Sequence, residues 1–255
     1  MKTRFVLIET SHAGNVGGVA RAMKVMGFDD LVLVRPRFDN VLRREETLQR
    51  SSGAQDVLKN ARVVSTLEEA LSGITHWCAT AMTPRDFGPP TRTPREHFEL
   101  LKAQEDLPSG VAFLFGSERF GMTNEDVYRC HVALSIPTNP SFGSLNLASA
   151  AQVVAYEWRL SLGGAASYLD VEQQEKTGAP KESRELADGP AIAGMLAHWE
   201  SSLVDIGFLD PLAPKKLMPR LQQLFNRAQL SPEEVHILRG VAKHMALKKS
   251  PKELD

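Results

Sequence analysis

Three short segments combine glycine with hydrogen-bonding or charged side chains, a composition suited to gripping a small molecule. Gly14-Asn15-Val16-Gly17-Gly18 joins an apolar run to a helix-forming one. A helix start offers free N–H groups, so this segment is either a phosphate-cradling turn or a tight turn that lets a helix pack closely on a strand. It is not G-x-G-x-x-G, so the fingerprint of a Rossmann-type oxidoreductase is missing. Gly116-Ser117-Glu118-Arg119-Phe120-Gly121 has P-loop spacing, but Met122 stands where the phosphate-gripping lysine belongs, which excludes an NTPase. What remains is a Glu118-Arg119 pair between two glycines: site charges in need of partners, or a surface ion pair. In Ser141-Phe142-Gly143-Ser144-Leu145-Asn146, Ser144 is expected to cap the following helix. Asn146 is a weak helix former placed to hydrogen-bond something. No Ser/His/Asp motif occurs, and the seven histidines, His12, His76, His97, His131, His198, His236 and His244, show no metal-ligand spacing, so no metal is expected.

The elements that must position these segments alternate. Apolar strand-like runs at 4–9, 31–34, 74–81, 111–115 and 131–137, with a weaker one at 62–64, are separated by helical patterns. The helices are expected at about 17–26, from Thr66 to Leu71, from Thr93 onward with Pro94 at its first position, after Thr123, and at about 145–162. Apolar runs without alternation suit a parallel sheet covered on both faces, so the fold class is α/β with a mostly parallel sheet. Ligands of such sheets sit at the carboxyl ends of strands, which selects the loops at 10–16, 80–93, 116–122 and 137–144.

The expected organisation is an α/β domain at 1–164, a polar linker at 165–188 and three amphipathic helices within 189–255. Helices of that total length are marginal alone and must dock on the body. With 42% hydrophobic and 24% charged residues and a net charge of −1, composition itself gives no sign of nucleic acid. Cys78 and Cys130 lie in apolar runs and read as buried thiols of a reducing compartment, the cytoplasm. No apolar stretch nears the roughly 18 residues of a membrane span, and the run Phe5–Ile8 is too short for a signal peptide.

Taken in order, the three segments resemble the SpoU/TrmH family of RNA ribose 2′-O-methyltransferases, of the SPOUT superfamily. The likeness rests on N-x-x-G-x-x-R at Asn15, Gly18 and Arg21, on F-G-x-E-x-x-G from Phe115 to Gly121, and on I-P…S-L-N at Ile136-Pro137 and Ser144-Leu145-Asn146. It covers about residues 3–162. It implies a C-terminal trefoil knot, S-adenosylmethionine as cofactor and a homodimer. The implied cofactor pocket is Thr80, Ala81, Met82, Gly116, Ile136, Gly143, Ser144 and Leu145. Arg21 is implied as the catalytic residue, with Asn15, Glu118, Ser144 and Asn146 orienting it and the ribose. Whether Arg21 is the base or stabilises developing charge stays open. RNA contacts are implied at Arg85 and Arg119.

The branch it most resembles methylates cytidine or uridine at nucleotide 32 of the tRNA anticodon loop. The alternatives are another tRNA or ribosomal RNA site, or an RNA-binding homologue that has lost catalysis. The arginines at 35, 37, 43, 44 and 50 read as a solvated face or an RNA surface. Lys215, Lys216, Arg220, Lys243, His244, Lys248, Lys249 and Lys252 read as phosphate contacts or as the solvated face of helices that cover the body.

Overall fold

The computed structural model describes residues 1–81, 83–104, 106–163 and 185–247. The apolar runs become strands β1 (Lys2–Ile8), β2 (Asp30–Val34), β3 (Arg62–Val64), β4 (His76–Thr80), β6 (Gly110–Phe115) and β7 (Val132–Leu134); β5 is the two-residue Thr91–Arg92. They form one sheet in the order β3-β2-β1-β6-β4-β7-β5, and every pairing is parallel. β6, in the middle, is buried along its whole length, which is why its sequence carries no polar alternation.

Helices α1 (Ala13–Val25), α2 (Glu45–Ser51), α3 (Gln55–Asn60), α5 (Pro94–Lys102) and α7 (Leu147–Ser161) belong to one side of the sheet. There Phe5, Phe98, Phe113 and Trp158 form an aromatic core, with Trp158 also donating to Thr3 Oγ1 at 2.9 Å. The other face carries α4 (Leu67–Leu71), α6 (Asn124–Tyr128), α8 (Gly189–Asp205), α9 (Leu217–Ala228) and α10 (Pro232–Leu247). Val6, Trp77, Ile192, Met195 and Phe225 pack together in this second core. The C-terminal helices therefore dock on the body, as their length requires. Gln223 Nε2 donates to the Tyr128 carbonyl at 2.5 Å, and Asn226 Nδ2 to those of Arg129 and Cys130 at 2.8 and 3.1 Å.

Several expectations change. α1 begins at Ala13 rather than near Gly17, so Asn15 lies in its first turn and the glycines are helical, not a phosphate-cradling loop. α2 and α3 occupy a stretch with no helical expectation, and β5 lies in what reads as a loop. Within the arginine-rich stretch 35–50, Arg35 pairs with Glu9 at 3.1 Å and Arg44 lies 4.0 Å from the Phe38 ring centre, the behaviour of a solvated, internally partnered face. The expected linker falls largely outside the described residues, as do Lys248, Lys249 and Lys252. Asp188, expected to end that linker, caps α8 by accepting from Ala191 N at 3.1 Å. Among the described residues no helix is long and apolar enough to cross a membrane.

Candidate active site

β4, β6 and β7 end on one side of the sheet, and the loops that follow them surround a cavity of about 550 Å³. The fold brings together there, from four separate segments, Asn15, Thr80, Ala81, Gly116, Glu118, Ile136, Gly143, Ser144, Leu145 and Asn146. Arg85 and Arg119 line the same cavity. Met82 lies outside the described residues.

The loop after β6 is a turn closed on itself. Ser117 N donates to Gly121 O at 3.1 Å, and Gly121 N donates back to Ser117 O at 2.8 Å. The turn passes so close to Gly116 that a Cβ there would lie 2.1 Å from the Gly121 carbonyl carbon, so no larger residue fits. This geometry turns Glu118 towards the start of α1. Its carboxylate accepts from Thr10 Oγ1 (2.8 Å), Ser11 N (2.8 Å), Ser11 Oγ (2.7 Å), His12 N (3.3 Å) and Asn15 Nδ2 (2.8 Å). Partial burial alone would raise its pKa. The donors from Asn15 and Ser11 overcome that and lower it to about 2, so Glu118 is a fixed anion and not a general acid at neutral pH. It is also a negative charge at a helix N-terminus, the favourable end.

The network continues. Asn15 Oδ1 accepts from Asn146 Nδ2 at 2.9 Å, and Asn146 Oδ1 accepts from Ala148 N at 2.9 Å. Asn146, not Ser144, is thus the cap of α7, and it spends its two side-chain atoms on the helix start and on α1. Ser144 is left facing the cavity. At Gly18 an added Cβ would lie 2.8 Å from Ala148 Cβ, so α1 and α7 meet at a point only glycine permits. The N-x-x-G-x-x-R spacing therefore divides its labour: Asn15 joins the network, Gly18 admits α7, and Arg21 stands exposed on α1 and is not among the residues that line the cavity.

The cavity also includes residues that the sequence reading does not single out, His12, Thr83, Phe120 and Thr138 among them. His12 is adjacent to the Glu118 network, and only its place in the first strand-end loop hinted at it. Arg85 donates to Thr83 at 2.9 and 3.1 Å. Two residues on, Phe87 lies under Lys216 (3.9 Å) and Arg220 (4.9 Å), which ties the cavity loop to the C-terminal helices. These two cations, read from sequence as phosphate contacts or as a solvated face, thus face an aromatic ring of their own chain.

Although sequence spacing shows no metal-ligand grouping, the fold gathers His76, Cys78 and His97, with ligand atoms within 4.8 Å of one another. This cluster begins at the opposite end of β4 from the cavity. His76 Nε2 and His97 Nε2 are 3.0 Å apart and their rings are within 14° of parallel, the geometry of one imidazole hydrogen-bonded head-on to another.

The cavity suits the implied cofactor. Its volume is that of a small-molecule site, its walls are backbone-rich loops of small residues, and Ile136 and Leu145 supply apolar surface for a flat ring.

Comparison with known proteins agrees with this geometry. Residues 2–156 match the SpoU rRNA Methylase family, and residues 190–254 match the C-terminal domain of the tRNA methyltransferase TrmJ. The chain is 43% identical over 241 residues to the tRNA (cytidine/uridine/adenosine-2′-O-)-methyltransferase TrmJ of Pseudomonas aeruginosa, covering 94% of this chain and 92% of that protein. It is 40% identical over 241 residues to the tRNA (cytidine/uridine-2′-O-)-methyltransferase TrmJ of Yersinia pestis strain Pestoides F, covering 93% and 89%. Among solved structures, TrmJ from Z. mobilis ZM4 superposes with a TM-score of 0.79 at 30% identity, covering 98% of this chain and all of that one. With the methylase match spanning the whole sheet and the TrmJ match the docked helices, the chain belongs to the TrmJ branch of the SpoU methylase family.

Proposed function

We propose that the chain is a tRNA ribose 2′-O-methyltransferase that uses S-adenosylmethionine and acts on cytidine or uridine at nucleotide 32 of the anticodon loop. The observation that carries the reading is the network that joins three segments, from Glu118 through Asn15 and Asn146 to the start of α7, beside a cofactor-sized cavity. The relatives named above, tRNA 2′-O-methyltransferases matched over nearly their full length, support the substrate class.

Thr80, Ala81, Gly116, Ile136, Gly143, Ser144 and Leu145 would hold the cofactor, with Met82 completing the set. When bound, it supplies a methyl group on a sulfonium centre. Glu118 fixes the start of α1, and Asn15 and Asn146 hold the two helices in register across the site. Ser144 orients the ribose, together with the second N–H of Asn146 Nδ2, the first being held by Asn15. Arg21 donates to the phosphate beside the ribose and to the 2′ oxygen, whose proton passes to water as the oxygen takes the methyl group. A guanidinium has donors and no acceptor, which makes it a better clamp than a base. Arg85 and Arg119 contact the RNA backbone.

By the family likeness the enzyme is a homodimer in which Arg21 of one subunit serves the cavity of the other, and Arg21 is not among the residues that line its own chain's cavity. The exposed apolar side chains Val25 on α1 and Tyr156 and Leu160 on α7 favour this. The same family reading implies a trefoil knot in the C-terminal half of the α/β domain, places the domain boundaries at 1–164, 165–188 and 189–255, needs no metal, and assigns the protein to the cytoplasm.

The test is methylation of unmodified tRNA followed by mapping of the modified ribose. Arg21→Ala is expected to slow transfer by about 10²–10³ while calorimetry shows unchanged affinity for S-adenosylmethionine. Mixed dimers of Arg21→Ala with a subunit defective in cofactor binding should regain activity at one of their two sites. A wild-type protein that methylates no tRNA overturns the reading.

A further inference from the structure

Two of the most exposed apolar side chains of the body flank the cavity mouth. Phe120 is 80% and Phe142 82% exposed. Neither sits on a loose loop tip. Phe120 is held in the closed Ser117–Gly121 turn, with its own N–H on Ser117 Oγ at 3.3 Å. Phe142 closes a second small turn, in which its N–H donates to Asn139 O at 3.0 Å and Ser141 N donates to Asn139 Oδ1 at 2.9 Å. Both turns belong to the cavity wall: Arg119, Phe120 and Gly121 line it from one side, Thr138, Gly143 and Ser144 from the other. Arg119 adds a guanidinium 5.1 Å from the Phe120 ring centre. The backbone thus anchors two phenyl rings beside a site whose substrate is a nucleotide.

We propose that Phe120, backed by Arg119, and Phe142 are stacking platforms for unpaired RNA bases next to the ribose being methylated. The proposal rests on the tRNA reading above and deepens it. A ribose hydroxyl can enter the cavity only if its nucleotide leaves the regular stack, and the bases beside it then need new π partners. Single-stranded loops are recognised in this way, by splayed bases on aromatic rings and guanidinium planes. Stacking tolerates any base, so these residues position the strand, and discrimination at the target base must come from other groups.

The experiment uses the full chain and an unmodified substrate tRNA. Phe120→Ala and Phe142→Ala are each expected to raise the KM for tRNA roughly ten- to hundredfold, the range reported for loss of one stacked base, with kcat nearly unchanged. Phe120→Trp and Phe142→Trp should retain wild-type KM. An abasic substitution beside the target nucleotide should cost the wild type as much as the alanine variant loses, and add nothing to that variant's loss. Calorimetry with S-adenosylmethionine and light scattering should show unchanged cofactor affinity and oligomeric state. Wild-type KM in both alanine variants overturns the proposal. So does a loss that tracks weakened cofactor binding or subunit dissociation, which would mean that the rings cover the cofactor or a second copy. If the unsubstituted enzyme methylates no tRNA, the functional reading fails and the platforms fail with it; a failure of the platforms alone leaves wild-type methylation intact.

Discussion

Two of the cavities among the described residues are built on opposite principles. The one at the strand ends holds about 550 Å³ and is walled by loops that carry Arg85 and Arg119, neither of which forms an ion pair among the described residues. The other holds about 320 Å³ between the body and the C-terminal helices. Its walls include Leu71, Trp77, Ile192, Leu196 and Met218, and its one arginine, Arg129, is satisfied by Glu68 and Glu125. A charge matched inside its own chain holds the fold. A cation left facing solvent beside a cavity is available to a ligand. By that criterion the first cavity is for chemistry and the second is a seam.

Three measurements would break or sharpen this contrast. Glu118→Ala removes the acceptor for five donors around the start of α1 and should slow methyl transfer by about 10² or more, while the unfolding free energy falls only by what a lost cap costs, about 1–2 kcal/mol. Collapse of the fold would place this network with the seam.

Phe225→Ala should do the reverse. Its ring is buried against the second core and packs 5.7 Å from Trp199, so its loss should cost about 3–5 kcal/mol, seen as a shifted denaturation midpoint, with cofactor affinity retained by the folded fraction. Lost cofactor binding in fully folded protein would show that the seam reaches the site.

The third effect is in acid. Burial lowers His97 and His131 from 6.5 to about 4, so the unfolded chain takes up their protons first. Their contribution is complete above pH 6.5 and is lost as pH falls towards 4. Glu118, lowered from 4.5 to about 2, contributes above pH 4.5 and loses that contribution only as pH falls towards 2. Melting temperature against pH should therefore decline in two windows, histidines first. A flat profile from pH 7 to 4 would refute the first.

What could be read from the sequence follows the physics of each element. β1, β2, β4, β6 and β7 are visible because a parallel strand buried on both faces must be apolar. β5 is not, since Thr91 and Arg92 join the edge by backbone bonds alone. α2 is hidden because its extensive contact with α1 is made by small and polar residues, Thr47 and Ser51 on its side. Thr47 Oγ1 donates to the carbonyls of Ala13 and Val41 at 3.0 and 2.7 Å, and a Cβ on Gly17 would lie 2.2 Å from Thr47 O. Such a contact needs glycine and threonine, which carry no amphipathic signal. The cavity residues were accessible as motifs, but their partners were not. Spacing could not show that Glu118 binds the chain 107 residues away at Ser11, or that Asn146 rather than Ser144 caps α7. His76 and His97 lie 21 residues apart and meet only because α5 folds back beside β4.

The two cysteines have a practical consequence. Cys78 and Cys130 are the only thiols in the chain, both are buried, and burial raises the pKa of each well above that of a free thiol. A maleimide offered to the folded protein finds no native target. One cysteine introduced at Leu212, which is 96% exposed between α8 and α9, would then take up a single fluorophore, and the wild-type chain, its two thiols buried, becomes its own unlabelled background for reporting on the C-terminal helices when RNA is added.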